Sequence, residues 1–156
     1  MKVKIVAVGK IKEDFFRQAI AEYTKRLSRF AKVEVVETDE CLFNGTPNAK
    51  EIQRVLETEG KAILQKCEGY IFALDIGGTM VSSTDLATSL DQLKQTNSTF
   101  TFVIGGSNGL SDEVKQKANK RISFGKITLP HQLCRVVLCE QIYRSFCILN
   151  NIPYHK

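Results

Sequence analysis

With 156 residues, 43% of them hydrophobic and 25% charged, the chain is the size of one ordinary domain with one core, which excludes a disordered chain and leaves little room for two full domains. The formal net charge is +5, and residues 115–156 carry eight lysines and arginines against one acid, Glu140, so a polyanion is a candidate partner if those charges share a face; a solvated basic surface is the alternative. Five cysteines, at 41, 67, 134, 139 and 147, show no CxxC spacing, and only two histidines are present, which argues against a disulfide framework and against a metal centre.

Val3–Val8 predicts a strand ended by Gly9. Phe15, Phe16, Ala19, Ile20, Tyr23 and Leu27 recur at helical spacing and predict an amphipathic helix over 14–30. Residues 32–37 alternate as a strand does, and Gly45 and Pro47 mark a loop. A second helix is expected over 49–67, with Ile52, Val55, Leu56, Ala62 and Ile63 inward and Gly60 weakening its middle. Residues 70–74 form an apolar run suited to a strand covered on both faces, followed by a turn over 75–79. Ser82–Asp85 opens a helix whose inner side is Leu86, Leu90 and Leu93. A strand over 100–104 runs into Gly105-Gly106-Ser107-Asn108-Gly109, and a short helix begins at Ser111. A short strand over 121–124 and a loop with Gly125 and Pro130 lead to a long apolar helix over 133–149, then a non-helical tail. Alternation of helices and strands predicts a single α/β domain with a parallel sheet. No signal peptide and no stretch near the roughly 20 apolar residues of a membrane helix is visible, so a cytoplasmic protein without a membrane partner is expected.

Ligands of an open parallel sheet bind at the carboxyl ends of its strands. Two such ends are glycine-rich, Gly77-Gly78 after Leu74 and Gly105–Gly109 after Ile104, and the stretch 124–130 is placed to complete the same wall. Neither cluster is a dinucleotide fingerprint or a phosphate loop, so tight turns without a ligand stand beside a pocket for a small nucleoside-like cofactor. His131, at the start of the last helix, and His155, in the tail, are candidates for chemistry or for structural roles. Arg135 and Arg144 offer guanidinium forks for phosphates, or pair with Glu140.

The order and spacing of several short motifs carry a resemblance over essentially the whole chain. These are Val6-Ala7-Val8-Gly9-Lys10, Ala21-Glu22-Tyr23, Glu59-Gly60, Leu74-Asp75 and Ile104-Gly105-Gly106, then Thr128-Leu129-Pro130-His131, Arg135-Val136, Glu140-Gln141-Ile142-Tyr143-Arg144 and the ending Pro153-Tyr154-His155-Lys156. The chain resembles the ribosomal large-subunit pseudouridine methyltransferases, the RlmH/YbeA-like family of the SPOUT class. It departs from the family's pattern at Gly78-Thr79, where members often read Gly-Lys, and in the helix cysteines 134, 139 and 147.

The resemblance implies an α/β knot: a parallel sheet flanked by helices, with a deep C-terminal trefoil knot in one domain over 1–156 and the cofactor-binding part within about 70–156. It implies a homodimer that binds S-adenosylmethionine through Leu74, Gly105 and the run Phe124, Gly125, Lys126, Ile127, Thr128 and Leu129. The reaction implied is methylation of N3 of a pseudouridine in 23S ribosomal RNA, on the assembled 70S ribosome. Tyr154, His155 and Arg135 are the expected catalytic residues, with Arg144, Lys156 and His131 on the RNA; an imidazole exchanges a proton near neutral pH and an aromatic ring stacks on a base. A knotted methyltransferase acting on another RNA base, or a non-enzymatic ribosome-binding protein, are the alternatives, and a tail held only for stability is the alternative for the chain end.

Overall fold

A computed structural model describes residues 1–156. Five strands and five helices alternate: β1 (Lys2–Val8), α1 (Asp14–Leu27), β2 (Lys32–Thr38), α2 (Ala49–Lys66), β3 (Tyr70–Met80), α3 (Ser83–Leu93), β4 (Thr99–Ile104), α4 (Asp112–Lys117), β5 (Lys120–Ser123) and α5 (His131–Leu149). The strands form one wholly parallel sheet in the order β2-β1-β4-β3-β5. The strands of the first half, β2 and β1, therefore lie side by side and join those of the second half through the β1–β4 pair.

Successive strand residues face opposite sides, and both sides are covered. Val3, Ile5, Phe72, Phe100 and Phe102 lie with Leu86, Leu90, Leu138 and Ile142 in a core under α1, α3 and α5. Val6, Val8, Ala73 and Val103 pack with Ile63, Leu110 and Val114 under α2 and α4. Phe72 and Phe102 stack with ring centroids 4.9 Å apart; burying a side chain of this size contributes about 1.5–3 kcal/mol. The last helix lies between α1 and α3. That position explains its apolar composition, since Leu138, Cys139, Ile142, Phe146 and Cys147 are all buried.

Local signals set the helix starts. The Asn48 side chain accepts from Glu51 N, and Ser82 and Asp85 form a reciprocal capping box. Gly60, costly inside a helix, has a packing reason: a Cβ there would run into Ser111 Oγ and lie 3.1 Å from Ser111 Cβ, so α2 and the start of α4 touch through it.

Three expectations shift. The strand over 70–74 does not end in a turn but continues to Met80. Leu74 and Thr79 both pair with Ile122, so residues 75–78 arch out as a bulge between two points of the same pairing. Gly78 is required by that return, because its Cβ would lie 2.7 Å from the Arg121 carbonyl carbon. On α1, Phe15 falls on the apolar stripe and is 65% exposed, its ring tilted against that of Phe16 with centroids 4.4 Å apart. The eight cations of 115–156 do not share one face: Arg135 is wholly buried, Lys117 pairs with Glu113, Arg121 with Asp75 and Arg144 with Glu140. No helix is long and apolar enough to cross a membrane.

Candidate active site

A cleft of about 960 Å³ opens at the carboxyl ends of β3, β4 and β5. Its walls are Leu74, Asp75 and Ile76 from the bulge, the loop Gly106–Leu110, and the residues Ser123–Gly125 with Ile127–Pro130; α4 adds Lys115 and α5 adds His131, Cys134 and Val137. The volume is that of a small-molecule site, and the lining is apolar with a few polar groups. Glycine shapes it at two points. Gly105 passes so close beneath Gly109 that a Cβ would lie 2.6 Å from the Gly109 carbonyl carbon, and Gly125 takes φ +128°. Ser123 Oγ fixes the second turn, donating to Gly125 O and accepting from Gly125 N.

Of the residues singled out for a cofactor, Leu74, Phe124, Gly125, Ile127, Thr128 and Leu129 line the cleft. Gly105 is buried under the loop that does, and Lys126 is exposed beside it. His131, singled out for RNA, stands in the cleft wall. Sequence reasoning placed Asp75 in the turn and Ser107 and Asn108 in the glycine loop without giving them a role, and it missed Lys115 as a wall residue. Lys115, on α4 after the loop, carried no local signal.

The tail lies elsewhere. Asn151, at φ +54°, turns the chain back after α5, and Tyr154 returns to that helix. Its hydroxyl donates to Glu140 Oε1 at 3.1 Å, its ring meets Tyr143 edge-on at 4.9 Å, and the Arg144 guanidinium lies 4.6 Å over it. Arg144 donates from Nε and Nη2 to the same Glu140 oxygen, at 3.0 and 2.6 Å. Gln141 Nε2 donates to the other oxygen of Glu140, and Ser83 Oγ donates to Gln141, tying the group to α3. Burial and the Glu140 carboxylate push the Tyr154 phenol up to about 12, so it is a donor at neutral pH. Arg144 Nη1 lies 3.3 Å from His155 Nδ1. Arginine only donates, so that nitrogen is an acceptor and the neutral ring carries its proton on Nε2. Neither the tail nor Arg144 lines the cleft of its own chain.

Arg135 belongs to neither group. It is 0% exposed; Nη1 pairs with Glu37 at 2.7 Å, and Nη2 donates to Val8 O and Gly9 O at 3.3 and 3.0 Å. Its charge holds the end of β1 against α5 and reaches no surface.

An acidic clasp backs the Gly106 loop. Ser107 Oγ donates to Glu40, and Cys41 N donates to Glu59 on α2, which is 4% exposed. Burial raises the Glu59 carboxyl above its ordinary range, opposed by the bond from Cys41 N and reinforced by Glu40. The cysteines are free. Burial pushes the thiols of Cys139 and Cys67 up to about 12 and 11 and raises that of Cys134 in the cleft wall, so none of these three is poised as a thiolate.

Comparison with known proteins agrees with this architecture. A ribosomal RNA large subunit methyltransferase H of Oenococcus oeni is 48% identical, over 100% of this chain and 99% of its own length. One of Limosilactobacillus fermentum is also 48% identical, with both chains fully covered. Among solved structures, a tRNA (m1G37) methyltransferase from Aquifex aeolicus superposes with a TM-score of 0.52 at 15% identity, covering 100% of this chain and 74% of that one. A Legionella pneumophila methyltransferase solved with bound SAM gives 0.50 at 7% identity, covering 94% and 66%. Both structural likenesses concern the fold. The family described as predicted SPOUT methyltransferases matches residues 1–155, and the chain belongs to it.

Proposed function

We propose that the chain is a cytoplasmic S-adenosylmethionine-dependent enzyme that methylates N3 of a pseudouridine in 23S ribosomal RNA, on the assembled 70S ribosome. The observation that carries the reading is the glycine-shaped cleft of about 960 Å³ at the ends of β3, β4 and β5, in a chain whose full-length relatives are ribosomal RNA large subunit methyltransferases. A ribosome-binding protein without catalysis has no need of such a cradle.

The residues present fit the cofactor. Leu74, Phe124, Ile127 and Leu129 supply apolar wall for an adenine ring, and the turns at Gly106–Gly109 and Gly125 bring backbone groups to the cleft with no side chain in the way. Lys115 and Asp75 offer opposite charges to an amino-acid carboxylate and ammonium, Asp75 while shared with Arg121. When bound, the cofactor supplies an electrophilic methyl group on sulfonium. The protein's part is to align the base with that group and to handle the N3 proton.

The tail is assigned to that part. Tyr154, protonated and braced by Glu140 and Arg144, donates or stacks; it does not take the proton. His155 presents Nε2–H outward while Arg144 engages Nδ1, so it hydrogen-bonds a base oxygen in this arrangement and accepts a proton only once Arg144 lets go. Arg144 and Lys156 meet phosphates, and His131 sits where cleft and RNA adjoin. Arg135 acts by holding the frame.

The reading includes a homodimer and the C-terminal knot. The separation of tail and cleft within one chain supports a site completed by a second copy, and exposed Ile76 and Ile127 at the cleft mouth supply apolar surface for it. The passage of the chain from β5, at the sheet edge, across β3 and β4 to the end of β1, where Arg135 near the start of α5 binds Val8 O and Gly9 O before the helix runs on between α1 and α3, supports the threaded path.

The test is mass spectrometry of 23S ribosomal RNA from a strain lacking the gene, restored with this chain. Return of one methyl group on the pseudouridine supports the reading. A restored strain with unmethylated RNA, despite expressed and folded protein, sinks it.

A further inference from the structure

The charge count along the sequence points to the last third of the chain, yet the most open group of cations beside the tail comes from the first third. Lys25, Arg26 and Arg29 leave the end of α1 where it packs on α5. Arg26 lies over two tyrosine rings at once, 5.7 Å from the centroid of Tyr23 and 5.8 Å from that of Tyr143. Tyr143 meets Tyr23 at 6.4 Å and Tyr154 at 4.9 Å. Arg144 covers the far side of the row, over Tyr154. Two helices and the tail thus build one strip of three tyrosines in a row, with one guanidinium plane over the first two and a second over the third. Lys25 and Arg29 stand exposed at its rim, and His155 and Lys156 continue it.

Helix-end cations ordinarily complement the helix dipole. That accounts for Lys25, but not for Arg26, whose guanidinium is held over aromatic faces, nor for Arg29, which lies beyond the last helical residue. Two acids adjoin the strip: Glu22 engages Arg26 Nε at 2.9 Å, and Glu140 engages Arg144. Lys25, Arg29 and Lys156 have no ion-pair partner. A surface that offers flat π faces, flat guanidinium planes and unneutralised charge at its rim suits unstacked bases on a phosphate backbone, because bases stack on both kinds of plane while the rim cations meet phosphates. A protein partner with an acidic face would use the charges and leave the ring faces idle.

We infer that the α1–α5 seam, with Arg26 and Arg29 as its principal contacts, is a docking surface for the looped ribosomal RNA that carries the target base. The inference rests on the methyltransferase reading and extends it by assigning RNA contact to the end of α1, a part of the chain remote in sequence from the tail. Arg26 stacks and Arg29 meets phosphate; neither touches the reacting atoms.

The experiment compares wild type with an Arg26→Ala/Arg29→Ala variant and an Arg26→Lys/Arg29→Lys variant. It measures methylation against ribosome concentration at several salt concentrations, and binding of an RNA fragment spanning the target helix-loop. Dimer mass, melting temperature and S-adenosylmethionine titration are the controls for fold and cleft. The alanine pair is expected to raise the ribosome KM about tenfold or more, to leave kcat at saturation and cofactor affinity within about twofold, and to lower the salt slope of RNA binding by about one to two. The lysine pair is expected to restore the slope while recovering only part of the affinity, since it keeps charge and loses the planar stack. RNA affinity and salt slope equal to wild type in a folded alanine variant overturn the inference, whether the strip is merely solvated or meets an acidic protein. Wild type that binds the fragment but never methylates ribosomes, alongside a variant that loses binding, sinks the methylation reading and leaves the docking surface standing.

Discussion

The cleft and the tail are built by opposite means. The cleft is made of backbone turns and apolar walls, and its shape follows from what glycine permits at Gly105 and Gly125. The tail is made of side chains bound to one another, with a single carboxylate, Glu140, accepting from Arg144 and Tyr154 while Arg144 reaches His155. A site of the first kind holds a ligand whatever its neighbours do. One of the second kind is placed by a network and fails when a member is lost. The two do not meet within one chain, so the proposed reading makes binding the cofactor and using it separable.

Removing Tyr154–Lys156 gives the largest effect. Methylation of ribosomes should fall about a thousandfold, while a calorimetric titration finds S-adenosylmethionine bound as before to a folded dimer. Methylation at the wild-type rate by that truncated dimer would break the division of labour.

Arg135→Met asks whether the buried arginine serves the shared frame. It strips Val8 O and Gly9 O of the guanidinium and leaves Glu37 with the Ile11 N–H but no opposite charge, so stability in a urea titration should drop by about 3 kcal/mol. A variant as stable as wild type yet inactive would move Arg135 from the frame into the reaction.

Gly105→Val strikes the cleft alone. The added side chain meets the Gly109 backbone and displaces the loop, so cofactor affinity should weaken by about tenfold to a hundredfold, with the tail network and dimer unchanged. Wild-type cofactor affinity in the folded variant would remove the loop from the site.

The smallest effect concerns the clasp behind that loop. Burial raises the Glu59 carboxyl in the folded protein, so between its ordinary value and that raised value the folded state binds more protons than the unfolded one, and stability falls as pH rises through that window. Glu59→Gln should remove that decline, leaving a flatter stability curve from about pH 4.5 upward. Identical curves for the two proteins would show that the carboxylate costs the fold nothing.

Much of this division was legible in the residues. The loop at Gly105–Gly109 and the run 124–130 stood out because ligands of a parallel sheet bind at the carboxyl ends of its strands and glycine lets the backbone come close there, and the apolar runs of β3 and β4 announced a sheet covered on both faces. The bulge at 75–78 was not legible, because a chain that leaves a strand and rejoins it opposite the same residue, Ile122, leaves the same glycine signature as a turn. Gly60 read as a helix defect because its cause, Ser111, lies far along the chain. Arg135 and Arg144 looked alike on one helix, yet one is sealed in and the other faces the tail. Which face of α5 is covered depends on α1 and α3 together, and no local spacing records that.

Arg135 also bears on how the chain comes into being. Its acceptors, Val8 and Gly9, are made well before the helix that carries it. Strand β1 meanwhile waits beside β2 with its other edge open until β4 arrives. Val8 O and Gly9 O wait for the guanidinium that binds them until α5 is in place, so the end of β1 is finished late. Folding dominated by such distant pairings is slow. A fragment that stops before β4 keeps the open edge of β1, and one that stops before α5 leaves the sheet face under that helix bare, so both have a strong tendency to aggregate.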